Sequence, residues 1–206
     1  MMRKRHFAIT LIATILTFAA CRGQETYQAE AERLAPLLKW QPGGVVADVG
    51  AGDGEMTLAA AERVGPTGRV FTTEIDDQKL AHLEEIAAQH KNITAVKAAA
   101  NATNLPPACC DSIVMRRVYH HITDPAEFGA SLLESLKPGG LLAVIDFPPR
   151  HALPEVKEHV PQNRGGHGAA KQLVIDELTA AGFEMLSASD DWPDDDYCVI
   201  FRKPGD

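Results

Sequence analysis

The sequence is poor in cysteine, in aromatic residues and in positive charge. Four cysteines occur among 206 residues, and no two of them have the CxxC spacing of zinc and redox motifs. Lys and Arg number 20 against 28 Asp and Glu, which gives a formal net charge of −8. A broad nucleic-acid-binding surface needs clustered basic side chains. The composition therefore predicts an ordinary globular chain with no nucleic-acid partner and no disulfide framework.

Long hydrophobic runs are also scarce, and the one that stands out lies near the beginning. Residues 7–20 (FAITLIATILTFAA) are apolar and follow three basic residues at positions 3–5. The run is shorter than the roughly 20 residues that a membrane-spanning helix needs. A basic start followed by a short apolar run is typical of a secretory signal peptide. We therefore assign 1–20 to a signal segment and 21–206 to a single domain.

Small residues directly before Cys21 resemble the lipobox of bacterial lipoproteins, in which the cysteine receives lipid. This resemblance implies lipidation of Cys21 and a place in the bacterial cell envelope. The membrane would be contacted only through this segment. Phe18 stands where the lipobox usually has leucine. An ordinary secretory signal, an uncleaved anchor and a cytoplasmic protein with a misassigned start site are the alternatives.

Short apolar runs alternate with helical patterns along the rest of the chain. The predicted strands are 45–49, 69–73, 93–97, 112–115, 141–147, 183–189 and 197–202. Such alternation is typical of a parallel sheet with helices on both faces. The last two strands have no helix between them and should pair antiparallel. The pattern predicts a three-layer α/β fold, a Rossmann-like doubly wound sheet of about seven strands, mostly parallel with an antiparallel last strand.

The stretch Val45–Thr57, VVADVGAGDGEMT, combines a strand with three glycines at every second position. The glycines fall at 50, 52 and 54, so the spacing differs from the dinucleotide fingerprint GxGxxG. Glycine at the carboxyl end of a strand permits a tight turn and a close approach of backbone to a ligand. The pattern that fits is Asp-x-Gly-x-Gly-x-Gly, beginning at Asp48.

This pattern and three later segments resemble the class I S-adenosylmethionine-dependent methyltransferases. The later segments are FTTEID with Glu74, AANATNLP with Asn101, and DSIVMRRVYHHITDP followed by LKPGGLLAVIDF. In the family the acid at Glu74 binds the ribose hydroxyls, and the position of Asn101 carries an acid beside the adenine amino group. The resemblance implies S-adenosylmethionine as the cofactor. The implied cofactor-binding residues are Asp48, Gly50, Ala51, Gly52, Gly54, Glu74, Ile75, Asn101, Ala102 and Arg116.

Methyl transfer to a hydroxyl or amine also requires a base, and the residues after the fourth strand are the candidates. Tyr119, His120 and His121 lie there, and imidazole titrates near neutrality. A purely structural role for these side chains is the alternative. Arg116 and Arg117 depart from the family pattern, since relatives often have Asp or Asn at the second position. An arginine beside a sulfonium would be unfavourable unless an acid neutralised it.

Two remaining polar segments yield weaker predictions. Residues 148–168 are interpreted as a wall or lid of the acceptor pocket, with a surface loop as the alternative. The histidines of this segment lack metal-binding spacing, so no metal is predicted. Residues 190–196 (DDWPDDD) are predicted to form a solvated hairpin loop, with Trp192 covering the end of the sheet.

The function predicted from the sequence is methyl transfer to a small-molecule acceptor. The alternative is a cofactor-binding sensor, or a non-catalytic envelope lipoprotein, on the same fold. The export signal keeps this alternative open, because S-adenosylmethionine is made in the cytoplasm.

Overall fold

The computed structural model describes residues 27–149, 161 and 167–205. The predicted signal segment, Cys21 and most of 148–168, including His151 and His159, lie outside the described residues. Within the described part, no helix is both long and apolar enough to cross a membrane.

A seven-stranded sheet forms the centre of the domain. Its order is β3-β2-β1-β4-β5-β7-β6, and only β7 runs antiparallel to its neighbours. This confirms the predicted doubly wound sheet with its antiparallel ending. The order reverses between β1 and β4, so the crevice at the carboxyl ends of these strands is the expected ligand position. The strands are β1 Val45–Val49, β2 Arg69–Glu74, β3 Ile93–Lys97, β4 Cys110–Arg116, β5 Leu136–Asp146, β6 Glu184–Ser189 and β7 Tyr197–Arg202.

Five helices cover the two faces of the sheet. They are α1 27–37, α2 Glu55–Val64, α3 Asp77–Gln89, α4 Pro125–Ser135 and α5 Lys171–Ala180. The first three pack on one face and the last two on the other, each against buried alternate residues of the strands. Helix α4 begins as its sequence predicts, since the Asp124 side chain accepts a hydrogen bond from the Glu127 amide and Pro125 follows at the first helical position.

Several boundaries differ from the sequence prediction, and two of these differences have a local cause. Strand β5 begins at Leu136 rather than Leu141, because Leu136 pairs with Cys110 before an irregularity shifts the register to Ser112 and Leu141. Helix α5 begins at Lys171 rather than near 168, because Gly168 has a φ of 91° that no helix can contain.

Cys110 and Cys198 occupy places that small core residues would take. Cys110 begins β4 and is fully buried, and Cys198 is buried in β7. The sulfur atoms of Cys109 and Cys110 form a bond between adjacent residues, which the sequence analysis does not predict. Burial raises the pKa of the Cys198 thiol to about 12, so this thiol stays protonated at neutral pH.

Candidate active site

The loop between β1 and α2 is a turn in which all three glycines have positive φ. The values are 73° at Gly50, 59° at Gly52 and 87° at Gly54. A Cβ on Gly50 would lie 2.9 Å from the Cβ of Val118 and closer still to one of its methyl groups, Cγ2. A Cβ on Gly52, in contrast, would meet no atom of the described part of the chain within 4 Å. The loop is therefore packed tightly at its first glycine and open at its second, which leaves backbone accessible to a ligand.

Glu74, the last residue of β2, holds this loop with its carboxylate. Its Oε2 accepts a hydrogen bond from the Gly52 amide at 3.0 Å, and its Oε1 accepts from the amides of Ile75 and Asp76 at 2.7 and 3.1 Å. Glu74 is only 7% exposed, whereas Ile75 beside it is 53% exposed. A carboxylate has about four acceptor positions. Glu74 can therefore order the open end of the loop and keep capacity for a further donor.

Asp48 lies beneath the loop and is fully buried near the end of β1. Its Oδ2 accepts a hydrogen bond from the Thr57 hydroxyl at 2.6 Å, and the same hydroxyl lies 2.9 Å from that of Thr72. These contacts tie β1, α2 and β2 together at the loop. Burial raises the pKa of Asp48 to about 6, although the Thr57 hydrogen bond and the positive charge of Arg116 oppose the increase.

Asn101 and Ala102 lie beyond β3 in a turn closed by hydrogen bonds between Ala99 and Ala102. Asn101 is exposed, and its Nδ2 donates to Glu127 Oε2 at 2.6 Å. Its carbonyl oxygen makes no hydrogen bond to another described residue. That oxygen keeps the acceptor capacity that the resemblance implies for this position.

Arg116, the last residue of β4, lies next to the glycine loop. Its neighbour Met115 is paired with Val49 in the sheet, which brings Arg116 level with Gly50. The guanidinium Nε donates to Glu30 Oε2 at 2.6 Å, and the other oxygen of Glu30 accepts from Trp192 Nε1 at 2.6 Å. The Glu30 side chain has no exposure to solvent. The positive charge of Arg116 is thus neutralised by a buried acid on α1.

Arg117 is neutralised by a different acid. Its Nε and Nη2 donate to the two oxygens of Asp196 at 2.6 and 3.0 Å, and Nη2 also donates to Asp194 at 3.2 Å. The Asp196 hydrogen bond raises the pKa of Arg117, against the opposing effect of burial. The prediction of a solvated loop at 190–196 is wrong for Asp196, which is 1% exposed and binds Arg117. Trp192 is 6% exposed and packs against strand residues, as expected for a residue that covers the end of the sheet.

The candidate bases lie on a short 3₁₀ turn, Tyr119–His121, immediately after β4. Tyr119 is buried in the core, and its hydroxyl donates to Glu177 at 3.0 Å, which favours a structural role for this residue. His121 is exposed, with its ring centroid 4.2 Å from that of His120.

His120 is the most constrained of the three. Its Nδ1 lies 2.8 Å from Asp146 Oδ1, and its backbone amide donates to Asp146 Oδ2 at 3.0 Å. Because a carboxylate accepts, Nδ1 carries the proton and Nε2 keeps its lone pair. Nε2 is buried and has no hydrogen-bond partner among the residues that the structure describes. The pair is therefore an imidazole base oriented by an acid, with its basic nitrogen unsatisfied.

Aromatic rings surround this histidine. Phe147 and His167 lie with ring centroids 4.9 and 5.0 Å from that of His120. His167 is the one histidine of the 148–168 segment among the described residues, and its ring lies beside that of His120. In the described part of the chain, no group of three or more His, Cys, Asp or Glu side chains could hold a metal ion.

Four residues of this region escaped the sequence analysis. Asp146 had a visible signal, because it is a lone acid at the end of the apolar run LLAVIDF. The other three, Tyr27, Glu30 and Asp196, gave no such signal, since each lies in a polar segment in which nothing distinguishes it from its polar neighbours.

Comparisons with known proteins agree with this geometry. Residues 47–144 match the Methyltransf_11 family, described as a methyltransferase domain. The chain is 32% identical to the ubiquinone/menaquinone biosynthesis C-methyltransferase UbiE of Marinomonas sp. (strain MWYL1). This match extends over 108 residues, which are 51% of this chain and 43% of that protein. The homologous enzyme of Shewanella halifaxensis (strain HAW-EB4) is 33% identical over 115 residues, 54% of this chain and 46% of that protein.

The fold also has close counterparts among solved structures. A SAM-dependent methyltransferase from Aquifex aeolicus superposes with a TM-score of 0.71 at 22% identity, over 84% of this chain and 89% of that one. Residues 47–144 are therefore similar to a methyltransferase domain, and the chain shares the fold of this solved S-adenosylmethionine-dependent methyltransferase. It spans less than half of the length of the two UbiE relatives, 43% and 46%.

Proposed function

We propose that the protein transfers a methyl group from S-adenosylmethionine to a small-molecule acceptor whose proton is taken by His120. The observation that carries this proposal is the His120–Asp146 pair with its buried, unpartnered Nε2. His120 follows two residues after Val118, whose side chain lies beside Gly50 of the glycine loop. A base and a glycine-rich donor site are thus adjacent at the switch point of the sheet.

The donor site is assigned to the crevice that the glycine loop opens. Gly52 supports this assignment because no atom stands within 4 Å of its Cβ position, and Glu74 because its carboxylate keeps acceptor capacity for a ribose. When bound, S-adenosylmethionine supplies a methyl group on an activated sulfonium. The residues proposed to hold it are Asp48, Gly50, Ala51, Gly52, Gly54, Glu74, Ile75, Asn101, Ala102 and Arg116.

The role proposed for His120 follows from its hydrogen bonds. Asp146 fixes the ring orientation and the Nδ1 proton, so that Nε2 faces away as the acceptor of a proton from substrate. When Nε2 takes that proton, the imidazolium forms against the Asp146 carboxylate, which stabilises it. His121 is the second candidate, since its exposed ring lies against His120 and can line the acceptor path. Tyr119 is assigned to support through Glu177.

Support for the acceptor class comes from the relatives, which are named for C-methylation in ubiquinone and menaquinone biosynthesis. A dihydroxyarene has a weakly acidic hydroxyl whose deprotonation makes the ring carbon nucleophilic, and a neutral imidazole is a suitable base for it. The rings of Phe147, His121 and His167 around His120 are also compatible with a flat acceptor. No described feature favours a sensor or a non-catalytic lipoprotein.

The first experiment tests the donor site with the full chain. Calorimetric titration of S-adenosylhomocysteine should give micromolar binding, and Gly52→Val should abolish it because the side chain fills the open space above the loop. Gly139→Val is the matched control, as Gly139 also has positive φ and open surroundings but lies at the opposite end of the sheet. Absence of binding by a folded wild-type protein would refute the proposed function.

The second experiment tests the base. Methyl transfer to reduced 1,4-naphthoquinone should fall by about 10²–10⁴-fold in His120→Gln, the range for loss of a general base. Binding of S-adenosylhomocysteine should stay within about twofold of wild type. Unchanged turnover in His120→Gln, with His121→Gln as the comparison, would move the role to another residue.

We further propose that Cys21 is lipidated and that the domain faces the cell envelope. The basis is the sequence pattern before Cys21. Metabolic labelling with a radioactive fatty acid should mark the wild-type chain and leave Cys21→Ser unlabelled. Equal absence of label in both chains, with the protein recovered in the soluble fraction, would contradict this proposal.

A further inference from the structure

Tyr27 lies at the first described position of α1 and contacts Arg116, the residue level with the start of the glycine loop. Arg116 Nη1 donates to the Tyr27 hydroxyl at 3.2 Å, and the guanidinium stacks 4.5 Å from the centre of the Tyr27 ring. Burial raises the pKa of Tyr27, Arg116 lowers it, and the carboxylates of Glu55, Glu30 and Asp48 raise it. The phenol is therefore within electrostatic range of the acids on both sides of the glycine loop.

The sheet register places these groups on one face. Asp48 is paired with Val114, and Arg116 follows Val114 by two residues, so the two side chains point to the same side of the sheet. Val114 packs with Ala31 and Leu34 of α1, which identifies that side as the face covered by α1. Arg116 and Tyr27 thus meet directly above the end of β1, where the loop begins.

The Arg116 guanidinium has donor capacity left over. Nε is used by Glu30 and Nη1 by Tyr27, whereas Nη2 makes no hydrogen bond to any residue that the structure describes. An arginine has five N–H donors, and its fork matches a carboxylate. The Arg116 side chain is 11% exposed, so a small ligand group can reach it without displacing the Glu30 pair.

We propose that Arg116 and Tyr27 form the subsite for the carboxylate of the donor's amino-acid part, with Glu30 as the positioning residue. This inference rests on the proposed function and adds α1 to the donor site. Glu30 contributes in two ways, since it fixes the guanidinium through Nε and cancels a positive charge that would repel the sulfonium. Trp192 holds the second Glu30 oxygen, so the loop between β6 and β7 supports the same arrangement.

The test compares two ligands that differ only in this carboxylate. S-adenosylmethionine and decarboxylated S-adenosylmethionine are titrated calorimetrically into the full chain. Tyr27→Phe keeps the ring and the Arg116–Glu30 pair and removes one hydroxyl. We expect it to weaken binding of S-adenosylmethionine about tenfold, as for a hydrogen bond to a charged group. Binding of the decarboxylated ligand should change less than about twofold.

A second variant examines the guanidinium itself. Arg116→Lys keeps the charge and loses the fork, and it should also weaken S-adenosylmethionine about tenfold or more without weakening the decarboxylated ligand. Arg33→Lys is the matched control, because the Arg33 guanidinium also stacks on an aromatic ring of this network, that of Trp192, but does not touch Tyr27. It should leave both affinities unchanged.

The outcomes separate this inference from the function on which it rests. Equal effects of Tyr27→Phe on both ligands, or no effect on either, would overturn the carboxylate subsite and leave the donor site intact. Binding of neither ligand to the wild-type chain would remove the proposed function and the subsite together.

Discussion

The proposed donor side of the crevice is the glycine loop between β1 and α2, and the proposed acceptor side is the segment from Arg117 to the start of α4. The two sides are built from contacts of very different range. Around the glycine loop, Asp48 bonds Thr57 nine residues away and Gly52 bonds Glu74 at a separation of 22. On the acceptor side, Arg117 reaches Asp196 at a separation of 79. The network that joins both sides spans 162 residues between Glu30 and Trp192. A site made of neighbouring residues leaves a readable motif, whereas one made of distant pairs does not.

The largest effect is expected where the donor loop is most tightly packed. Gly50→Ala places a Cβ into Val118 and forces alanine to a φ of 73°, whereas Gly52→Ala meets open space at a φ of 59°. Strain and overlap together should reduce the free energy of unfolding by about 4 kcal/mol for Gly50→Ala, against about 1 kcal/mol for Gly52→Ala. Urea denaturation of both variants measures the difference. Equal losses would show that the loop relaxes away from Val118.

The next effect concerns the buried acid beneath that loop. The pKa of Asp48 is raised from 3.8 to about 6 in the folded state. Well below pH 3.8 the carboxyl is protonated in both states and costs nothing. Between pH 3.8 and about 6 the unfolded chain loses this proton while the folded chain keeps it, so the free energy of unfolding falls by about 3 kcal/mol in total, the value of a two-unit shift, and stays lower at higher pH.

Asp48→Asn can still accept from Thr57 but cannot ionise. Its stability relative to wild type should therefore increase by about 3 kcal/mol between pH 4 and pH 7. Denaturation at several pH values gives this difference directly, because the other titrating groups are common to both proteins. A difference that is independent of pH would contradict the raised pKa.

On the acceptor side, the prediction concerns the ion pair between Arg117 and Asp196, which no sequence motif predicts. Asp196→Asn removes the negative charge of a carboxylate that pairs with Arg117 and has no solvent exposure. The Arg117 side chain itself is 29% exposed. A fully buried broken pair costs about 3–5 kcal/mol, and the exposure of Arg117 reduces the expected loss to about 2 kcal/mol. The matched variant Asp194→Asn alters a carboxyl that is 58% exposed and should cost less than about 0.5 kcal/mol. If thermal denaturation showed similar losses of stability in both variants, burial of Asp196 would make no contribution to the stability of the fold.

The same contrast between short-range and long-range contacts explains how much of the structure can be predicted from the sequence. The sheet and its antiparallel ending follow from periodicity, the loop with Asp48 and Gly52 follows from a contiguous motif, and Glu74 follows from the family resemblance. The neutralisation of Arg116 and Arg117 does not, because their partners come from α1 and from the loop before β7. Periodicity assigns those segments to a helix and a loop, but no local rule says which of their acids is buried. Asp146 lies between these cases, visible in its strand but assigned no role until the fold places it against His120.

The smallest effect is expected at the start of α4, on the acceptor side, which is determined by residues close together in the sequence. Asp124 caps α4 by accepting from the Glu127 amide at 3.0 Å, and the sequence Asp-Pro-Ala-Glu predicts this contact without knowledge of the fold. Asp124→Ala should cost about 1 kcal/mol, and Asp124→Asn much less, because asparagine caps nearly as well. Urea denaturation of the two variants measures these losses. A loss of several kcal/mol in Asp124→Ala would show that the helix start also depends on distant contacts, and the division between local and long-range construction would then fail on the acceptor side.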